Sequence, residues 1–340
     1  MNCDYPTKFG IRIPLYGEYP TDNPFDLLQS LVQFADRNEV DSIWVVDHFD
    51  MPDESIQAAG GIPGQNAPLE AWTTLTAVAA WTKTVELGTE VTPMTRRHPS
   101  IMAKVTATID VLSKGRLILG AGAGWYPPEF KKFGLPWYRI TERFERMYES
   151  IDVIKELWTA KYANYDGKYY HLKNARLFPK PMRKPHPPIW FGGTSDRILR
   201  SVIRYGDGWI PANNTSLEEY QIKKMRLKEL AQEQARALSE ITLTGPFLTQ
   251  IDKDRKKVEQ TIKEYSRRAA GDQGERGWNV AFGRSMRYGM WGTPAECITR
   301  IQKYIDVGVQ HFIFDLLPPT TAMTSLELLC NEIIPAIHDS

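Results

Sequence analysis

The sequence predicts a TIM barrel, a closed sheet of eight parallel strands with a helix after each strand. Eight short β-rich segments alternate with helical segments along the 340 residues, which is the pattern of a parallel α/β fold. No low-complexity linker interrupts this alternation, and a barrel of about 250 residues leaves room for insertions. The competing doubly wound fold expects GxGxxG after an early strand. Here the glycine run from Gly120 to Gly124 follows the fourth strand and continues with Trp125.

The strands are predicted from short runs rich in β-branched and aromatic residues. In chain order they are residues 9–15, 41–46, 85–91, 116–121, 189–192, 208–211, 241–248 and 311–316. Chemistry in a TIM barrel takes place at the carboxyl ends of the strands. The residues directly after each run are therefore the first candidates for a functional site.

The helices are predicted from capping residues and from apolar residues at helical spacing. They are residues 25–37, 69–81, 100–112, 138–158, 194–205, 217–238, 252–270 and 294–307. Asn23 and Pro24 are the expected N-cap and first position of the first helix. In the helix 138–158, apolar and aromatic residues recur at Phe144, Met147, Tyr148, Ile151, Ile154 and Leu157.

Two connections are longer than a barrel requires. Residues 161–188 are polar, aromatic and proline-rich, and residues 271–292 are rich in glycine, arginine and tryptophan. Such stretches in a compact domain are more often functional or covering loops than linkers. We therefore predict a single domain over residues 1–340 with these two insertions, and we expect the substrate pocket to be built from them.

Composition excludes several classes of function. The chain has 42 Lys plus Arg, 41 Asp plus Glu and a net charge of +1, so it lacks the basic field that nucleic acids attract. Its uncharged stretches are shorter than the roughly 20 apolar residues of a membrane span, and no signal peptide is visible. Cys3, Cys297 and Cys330 form neither a disulfide framework nor a metal knuckle, and the histidines lack HxH or HExxH spacing. We expect a cytoplasmic protein without a metal site.

Charged residues follow the second and third strands. Asp47 and His48 end the second strand, where a histidine among carboxylates is suited to general acid–base chemistry. A hydrogen-bonded structural histidine is the alternative. Arg96 and Arg97 follow the third strand just before a helix, where they could meet an anion at the helix N-terminus. A solvated or dimer-facing basic turn is the alternative there.

Small residues follow the fourth and fifth strands. The alternating glycines Gly120, Gly122 and Gly124 predict that a flat ligand approaches the backbone closely, with a tight bend at the rim as the alternative. The segment Gly192-Gly193-Thr194-Ser195 opens a helix, and such a turn can hold a phosphate through its N–H groups and hydroxyls. The alternative is that Thr194 serves only as an N-cap.

Four segments together resemble the luciferase-like flavin-dependent oxidoreductases, the superfamily of bacterial luciferase, FMN-dependent monooxygenases and enzymes using the deazaflavin coenzyme F420. They are WVVDHF at 44–49, the stretch 84–125 with TEVTPMTRRHP and GAGAGW, the stretch 165–211 with YDGKYYH and FGGTS, and WGTPAEC from residue 291. The resemblance implies a TIM barrel with an insertion after the fourth helix, usually in a homodimer. It also implies a non-prolyl cis peptide at Glu90–Val91.

Within the superfamily, Asp47-His48-Phe49 looks like the motif of the F420-dependent group, in which the histidine takes part in proton transfer. The sugar-phosphate dehydrogenases of that group carry a glutamate right after the glycine run, where this chain has Trp125. The resemblance leaves Glu129 either as a substitute carboxylate or as a rim residue.

The resemblance thus implies catalytic roles for His48 and Glu129. The residues that it assigns to cofactor binding are Asp47, Glu90, Val91, Thr92, Gly122, Ala123, Gly124, Trp125, Gly192, Gly193, Thr194 and Ser195. The expected activity is hydride transfer between F420, the favoured cofactor, or FMN and a small organic substrate. One alternative is a two-component FMN monooxygenase that takes reduced flavin from a reductase and uses dioxygen. A non-catalytic flavin-binding protein is the other.

Overall fold

The computed structural model describes residues 7–20, 23–38, 40–270 and 280–339, and it confirms the predicted barrel. Its strands are β1 (Lys8–Arg12), β2 (Ser42–Val45), β3 (Glu86–Thr89), β4 (Thr92–Pro93), β5 (Leu117–Gly122), β6 (Ala163–Asp166), β7 (His171–Ala175), β8 (Ile189–Gly192), β9 (Gly208–Ile210), β10 (Thr242–Ile251), β11 (Met290–Gly292) and β12 (His311–Leu316). The order β1-β2-β3-β5-β8-β9-β10-β12 is parallel throughout and closes on β1. These eight strands are the eight predicted from the sequence.

The described helices are α1 (Pro24–Arg37), α2 (Asp53–Ala58), α3 (Ala71–Trp81), α4 (Pro99–Leu112), α5 (Pro127–Lys132), α6 (Ile140–Thr159), α7 (Asp196–Tyr205), α8 (Leu217–Glu233), α9 (Arg255–Ala270), α10 (Val280–Tyr288), α11 (Pro294–Asp306), α12 (Ala322–Leu328) and α13 (Ile334–His338). Asn23 caps α1 through a bond from the Phe25 N–H, as predicted. The helices that the sequence did not predict are short, and a helix of one or two turns carries little periodic signal.

An apolar plug closes the interior of the barrel. Trp44, Ile118, Trp190, Ile210 and Ile313 are buried against one another, and the rings of Trp44 and Trp190 lie 5.0 Å apart. Alternate residues of the same strands face the larger core between sheet and helices, as the two-residue period of a strand requires. The inward-facing residues beyond the plug, at the carboxyl ends, therefore form the floor of the barrel mouth.

The helix after the seventh strand, α9, contacts β10 but packs more extensively against another helix. α9 packs against α2, and both helices belong to connections that leave the carboxyl ends of strands. β11 then pairs with the last residues of β10, and α11 leads back to β12. α9 thus follows β10, as predicted, and its packing against α2 places it beside the mouth.

Residues 161–188 include an antiparallel hairpin of β6 and β7, and the Tyr169 hydroxyl donates a hydrogen bond to Glu145 on α6. Further along, Arg183 pairs with Glu86 at the amino end of β3, at 2.9 Å. The Arg183 pair puts the later part of the connection at the amino ends of the strands, whereas Tyr170 of the hairpin packs edge-on against His98 at the N-terminus of α4, with ring centroids 5.4 Å apart. That this connection contributes to the substrate pocket stays a prediction.

The other long connection reaches the mouth. Residues 271–279 lie outside the described part of the chain, and the remainder contributes α10 and β11. Arg284 Nε on α10 donates to the carbonyl oxygen of Asn214 at 3.1 Å, in the loop after β9. This contact puts α10 at the carboxyl ends of the strands, where the substrate pocket was expected.

None of the helices in the described segments has both the length and the apolar character that crossing a bilayer requires. Cys297 and Cys330 are buried and unpaired, as predicted. Cys3 lies outside the described residues.

Candidate active site

The end of the third strand turns into the mouth at Glu90–Val91, a cis peptide bond, as the resemblance implied. Val91 fills the space in front of two glycines. A Cβ atom on Gly122 would lie 2.6 Å from Val91 Cγ2, and one on Gly192 would lie 2.7 Å from Val91 Cγ1. A close approach therefore exists at Gly122, where the side chain of Val91 makes it, and the approach of a flat ligand to the rest of the run stays a prediction.

The chain leaves β5 through a turn that exposes an indole. Ala123 is buried, and Gly124 has φ of +79°, a conformation that favours glycine. The Gly124 carbonyl oxygen accepts a hydrogen bond from Arg143 at 2.5 Å. Trp125 follows and is 60% exposed, so its ring offers a flat apolar surface at the mouth.

Asp47 lies at the centre of a buried cluster of charges. Its carboxylate, which is fully buried, bonds to Arg96 at 2.9 Å and to Arg97 at 2.6 Å and 3.0 Å. The Trp72 indole donates a further bond at 3.2 Å, and Arg97 extends the cluster to Glu70 at 2.6 Å. The paired arginines predicted to meet a bound anion or solvent thus meet carboxylates of the chain itself.

The charges of this cluster stabilise one another. Burial by itself raises the pKa of Asp47, but Arg97 and then Arg96 outweigh it and hold the pKa below its ordinary value. Burial likewise opposes the charge of Arg97, but Asp47 and Glu70 raise the pKa of this guanidinium above its usual range. Asp47 is therefore a permanent anion near neutral pH, and it anchors the two arginines.

Glu129 joins this cluster to the backbone after β2. Its Oε1 accepts hydrogen bonds from the N–H groups of Phe49 and Asp50, and its Oε2 accepts one from Arg96 at 2.6 Å. The same Oε2 lies 3.2 Å from His48 Nδ1. The Glu129 side chain is 1% exposed, so all of its contacts serve the protein interior.

Among the residues of this cluster, His48 is the one whose side chain reaches the barrel mouth. Its side chain is 12% exposed, and its ring meets Trp125 edge-on with centroids 5.7 Å apart. A carboxylate as the partner of Nδ1 assigns the ring proton to that nitrogen. Nε2 is then the nitrogen that can accept a proton from a ligand.

A second set of charges lies on the floor of the mouth. Arg12, the last residue of β1, pairs with Asp315 and, at 3.2 Å, with Glu90 Oε1. Within the described part of the chain, Glu90 Oε2 is buried without a hydrogen-bond partner. Burial raises the pKa of Glu90 more than the Arg12 guanidinium lowers it.

The turn after β8 opens α7, as predicted, but with a different cap. Ser195 Oγ accepts the Ile198 N–H at 3.4 Å, so Ser195 is the N-cap and the alternative that gave this role to Thr194 is wrong. Gly193 has φ of +122°, which orients the turn. The first N–H groups of the helix have no partner within it, although Asp196 in the first turn adds a negative charge.

The sequence did not single out Arg12 and Asp315. Both are inward-facing residues near the carboxyl ends of their strands, in register with each other, and the two-residue period of the strands could have identified them. In the described segments, His, Cys, Asp and Glu side chains form no group of three or more that could hold a metal ion.

Comparison with solved structures agrees on the fold. A coenzyme F420-dependent tetrahydromethanopterin reductase from Methanopyrus kandleri has a TM-score of 0.76 at 23% identity, over 98% of this chain and 99% of the other. A long-chain alkane monooxygenase has a TM-score of 0.82 at 14% identity, over 99% of this chain and 92% of the other. At these identities the likeness establishes the barrel fold alone.

Sequence comparison identifies the family. A protein named F420-dependent glucose-6-phosphate dehydrogenase from Amycolatopsis mediterranei is 31% identical, over 84% of this chain and 88% of its own. One of the same name from Nakamurella multipartita is 27% identical, over 98% and 97%. The model of the luciferase-like monooxygenase family matches residues 7–311. The chain therefore belongs to the luciferase-like monooxygenase family, as its motifs indicated.

Proposed function

We propose that this protein is an F420-dependent oxidoreductase that exchanges a hydride between the deazaflavin and a small organic substrate, with His48 handling the accompanying proton. The family match and the names of the two relatives support the cofactor. The observation that carries the proposal is the contact between His48 Nδ1 and Glu129 Oε2, at 3.2 Å.

This contact fixes both the tautomer and the orientation of the imidazole. Glu129 is itself held by Arg96 and by the Phe49 N–H group, so the carboxylate cannot rotate away from the ring. The ring proton on Nδ1 stays with Glu129, and Nε2 exchanges a proton with the bound molecule. Asp47 has an indirect role, because it anchors Arg96, which in turn holds Glu129.

The residues of the mouth fit a planar ring linked to a phosphate. Val91 and Trp125 present apolar surfaces at the ends of the third and fourth strands. The turn from Gly193 to Ser195 offers the N-terminus of α7, and the exposed Arg197 follows it. F420, when bound, supplies the two-electron hydride carrier. The chain supplies the surfaces, the phosphate turn and the proton-handling group.

Glu90 has a separate place in the proposal. Its unpartnered Oε2 lies on the floor of the mouth, and a protonated carboxyl group there would donate a hydrogen bond to a bound molecule. We propose that Glu90 orients the cofactor or the substrate through a hydrogen bond from the floor of the mouth. The remaining residues assigned to cofactor binding are Thr92, Gly122, Ala123, Gly124, Gly192 and Thr194.

An FMN-dependent monooxygenase is the second candidate, because the matching family model bears the description of a monooxygenase. In that case a separate reductase would supply reduced flavin, and dioxygen would be the second substrate. The same turn and the same ring surfaces would hold FMN, so the two candidates differ in the cofactor that binds tightly.

Fluorescence titration of the purified protein with F420 and with FMN tests the cofactor. Tight binding of F420 is the expected result, and tight binding of FMN alone would favour the monooxygenase. Oxidation of reduced F420, or reduction of F420, is then followed with a panel of alcohols, aldehydes and sugar phosphates. Glucose 6-phosphate comes first because both relatives are named for it.

Replacing His48 tests the proton-handling role. We expect His48→Ala to lower kcat by roughly 10²- to 10⁴-fold while F420 still binds. His171→Ala is the matched control, because that ring is 65% exposed and its partner, Asp166, lies on the outer hairpin. Equal turnover in wild type and His48→Ala would contradict the role. F420 binding without turnover on any substrate would favour a non-catalytic binding protein.

We further propose that the protein forms a homodimer through the outer faces of α3 and α4. These faces carry Thr73, Thr76, Ala77, Ala80 and Trp81 on α3, and Ile101, Lys104, Val105, Thr108 and Leu112 on α4. Lys104 is the only charged residue among these ten, and its ammonium bonds to the Phe178 carbonyl oxygen. A second copy of the same, nearly uncharged face is the partner that suits it.

We also propose a cytoplasmic location. The buried and unpaired thiols of Cys297 and Cys330 support it, because free thiols persist in reducing compartments.

A further inference from the structure

A cavity of about 490 Å³ opens on the side of the barrel opposite the mouth. Its wall includes Asp207, directly before β9, Pro188, directly before β8, and Tyr205, the last residue of α7. These positions mark the amino ends of strands and the carboxyl end of a helix. Because the chemistry of a TIM barrel takes place at the other face, this cavity is separate from the site described above.

The lining of this cavity is strongly basic. It contains one carboxylate, that of Asp207, and five cations, on Lys155, Arg183, Lys184, Arg204 and Arg236. The Asp207 carboxylate accepts the Ile189 N–H at 2.8 Å through Oδ2, and its negative charge also acts on Lys155. His186 also lines the cavity and would add positive charge if protonated.

Two of these cations are anchored mainly by neutral carbonyl oxygens at the end of α7. Lys155 donates to the Tyr205 carbonyl at 3.2 Å, and Arg236 donates to the Ile203 carbonyl at 2.8 Å. Arg236 also makes an exposed contact with Glu240 at 3.3 Å. A carbonyl partner holds a cation in place without cancelling its charge, so these bonds preorganise positive charge at the cavity wall.

Lys184 and Arg204 are less constrained. Lys184 donates to the Pro181 carbonyl at 3.1 Å, and the Arg204 guanidinium lies 4.8 Å from the centre of the Tyr205 ring. Arg183 differs, because Glu86 pairs with it. Behind the wall, Asp152 acts on both Lys155 and Arg204. The five cations of the lining outnumber by one the four carboxylates that act on them in the described part of the chain, which are Asp207, Glu86, Asp152 and Glu240.

We propose that this cavity binds a small molecule that carries phosphate groups and at least two negative charges. The Arg204 guanidinium supplies a planar pair of donors that matches phosphate oxygens, and Lys155 and Lys184 add positive charge beside it. The volume lies within the range of small-ligand pockets, about 300–1,000 Å³. The site is distinct from the turn at Gly193 to Ser195, which lies at the opposite end of α7.

Calorimetric titration of the full chain with inorganic pyrophosphate at low ionic strength tests this site. We expect one site in the wild type and at least about tenfold weaker binding in the double variant Lys184→Gln/Arg204→Gln. These two side chains are chosen because they do not hold the end of α7. A thermal melt without ligand verifies that the variant remains folded.

Two further variants locate the binding. Thr194→Asp adds a carboxylate at the phosphate turn of the mouth and should leave pyrophosphate affinity unchanged. Lys253→Gln is the matched surface control, since that side chain is 73% exposed and does not line the cavity. Loss of binding in Thr194→Asp, with binding kept in the double variant, would overturn the proposal. So would absence of binding to the wild type, or equally tight binding of citrate.

Discussion

Glu129 joins His48 to the buried cluster of charges and to the backbone of the candidate site. One oxygen bonds to the backbone after β2, and the other meets both Arg96 and His48. From the sequence, Glu129 was either a substitute carboxylate or a rim residue. Its complete burial supports a third role, because a carboxylate whose two oxygens are engaged in this way is a positioning group for His48.

We predict that Glu129→Gln lowers kcat by roughly 10- to 100-fold, a smaller loss than removal of His48 causes. The amide cannot carry the negative charge that Arg96 and His48 face, so the imidazole loses its fixed orientation. The dissociation constant for F420 should change little. Steady-state kinetics and cofactor titration at a temperature well below the melting point separate these two effects.

Glu142→Gln is the matched control for this variant, because Glu142 forms a half-buried i,i+4 pair with Arg146 on α6, away from His48. Its kinetics should equal those of the wild type. A proportional loss of kcat and of cofactor binding in Glu129→Gln would point to a purely structural role.

His311, at the amino end of β12, sets a pH dependence of stability. Its ring is buried beside Ser42, at 2.7 Å, and burial followed by Lys8 lowers its pKa from 6.5 to about 3. The unfolded chain therefore takes up this proton first as the pH falls. The contribution of His311 to stability is complete above pH ~6.5 and is lost progressively between pH ~6.5 and ~3, by at most about 1.4 kcal/mol per pH unit.

Urea unfolding at several pH values between 7 and 4 measures this effect. We expect the free energy of unfolding of His311→Asn to fall less steeply with acid than that of the wild type, because asparagine does not titrate. Parallel curves for the two proteins would show that another group accounts for the acid sensitivity.

At the scale of elements, the turn at Glu90–Val91 after β3 limits which residues β5 and β8 can carry at two positions. Val91 projects against both strands, and the two positions that face it are glycines, Gly122 and Gly192. The alternation of glycines was visible in the sequence, but the occupant of the space in front of them was not. Only the pairing of three strands brings Val91 there.

We predict that Gly122→Ala is destabilising by about 1–3 kcal/mol, the usual cost of overpacking, and weakens F420 binding. The added methyl would lie 2.6 Å from Val91 Cγ2, so Val91 and the turn after β3 would have to move. The double variant Gly122→Ala/Val91→Ala should recover much of the stability because it removes the opposing methyl groups. Urea unfolding of the four proteins of this cycle measures the coupling, and additive effects would contradict the explanation.

The bounds of helices were predicted well where capping residues and apolar spacing, which are local patterns, determine them. Caps and apolar periodicity identified α1, α4, α6 and α11 to within two residues at either end. The packing partner of a helix is not a local property. α9 carries an ordinary amphipathic pattern, and only its contact with α2 reveals that it borders the mouth.

At the scale of the whole molecule, the near-zero net charge conceals local separation of charge. The acidic and basic groups of the mouth neutralise one another in buried clusters, whereas the cavity at the opposite end keeps its cations beside neutral carbonyls. The outer faces of α3 and α4 are almost uncharged. These three regions suit three different partners: a cofactor, a phosphate compound and a second copy of the chain.

We predict that Ile101→Lys/Leu112→Lys converts the dimer to a monomer. The two side chains are 58% and 55% exposed on α4, and lysines there would put like charges against each other across a two-fold axis. Light scattering coupled to size-exclusion chromatography measures the mass. Ile222→Lys/Met225→Lys on α8, where these side chains are 62% and 66% exposed, should leave the dimer intact. A monomeric wild type would contradict the proposed interface.

The sequence by itself determined the barrel, its eight strands, the family and the candidacy of His48, because these depend on local periodicity and on contiguous motifs. The tertiary structure decided what surrounds His48. Glu129 lies 81 positions away along the chain, and the clusters around Asp47 and Arg12 each join residues from different strands or connections. Closure of the sheet brings such residues together, and no local pattern specifies which buried charges then become partners.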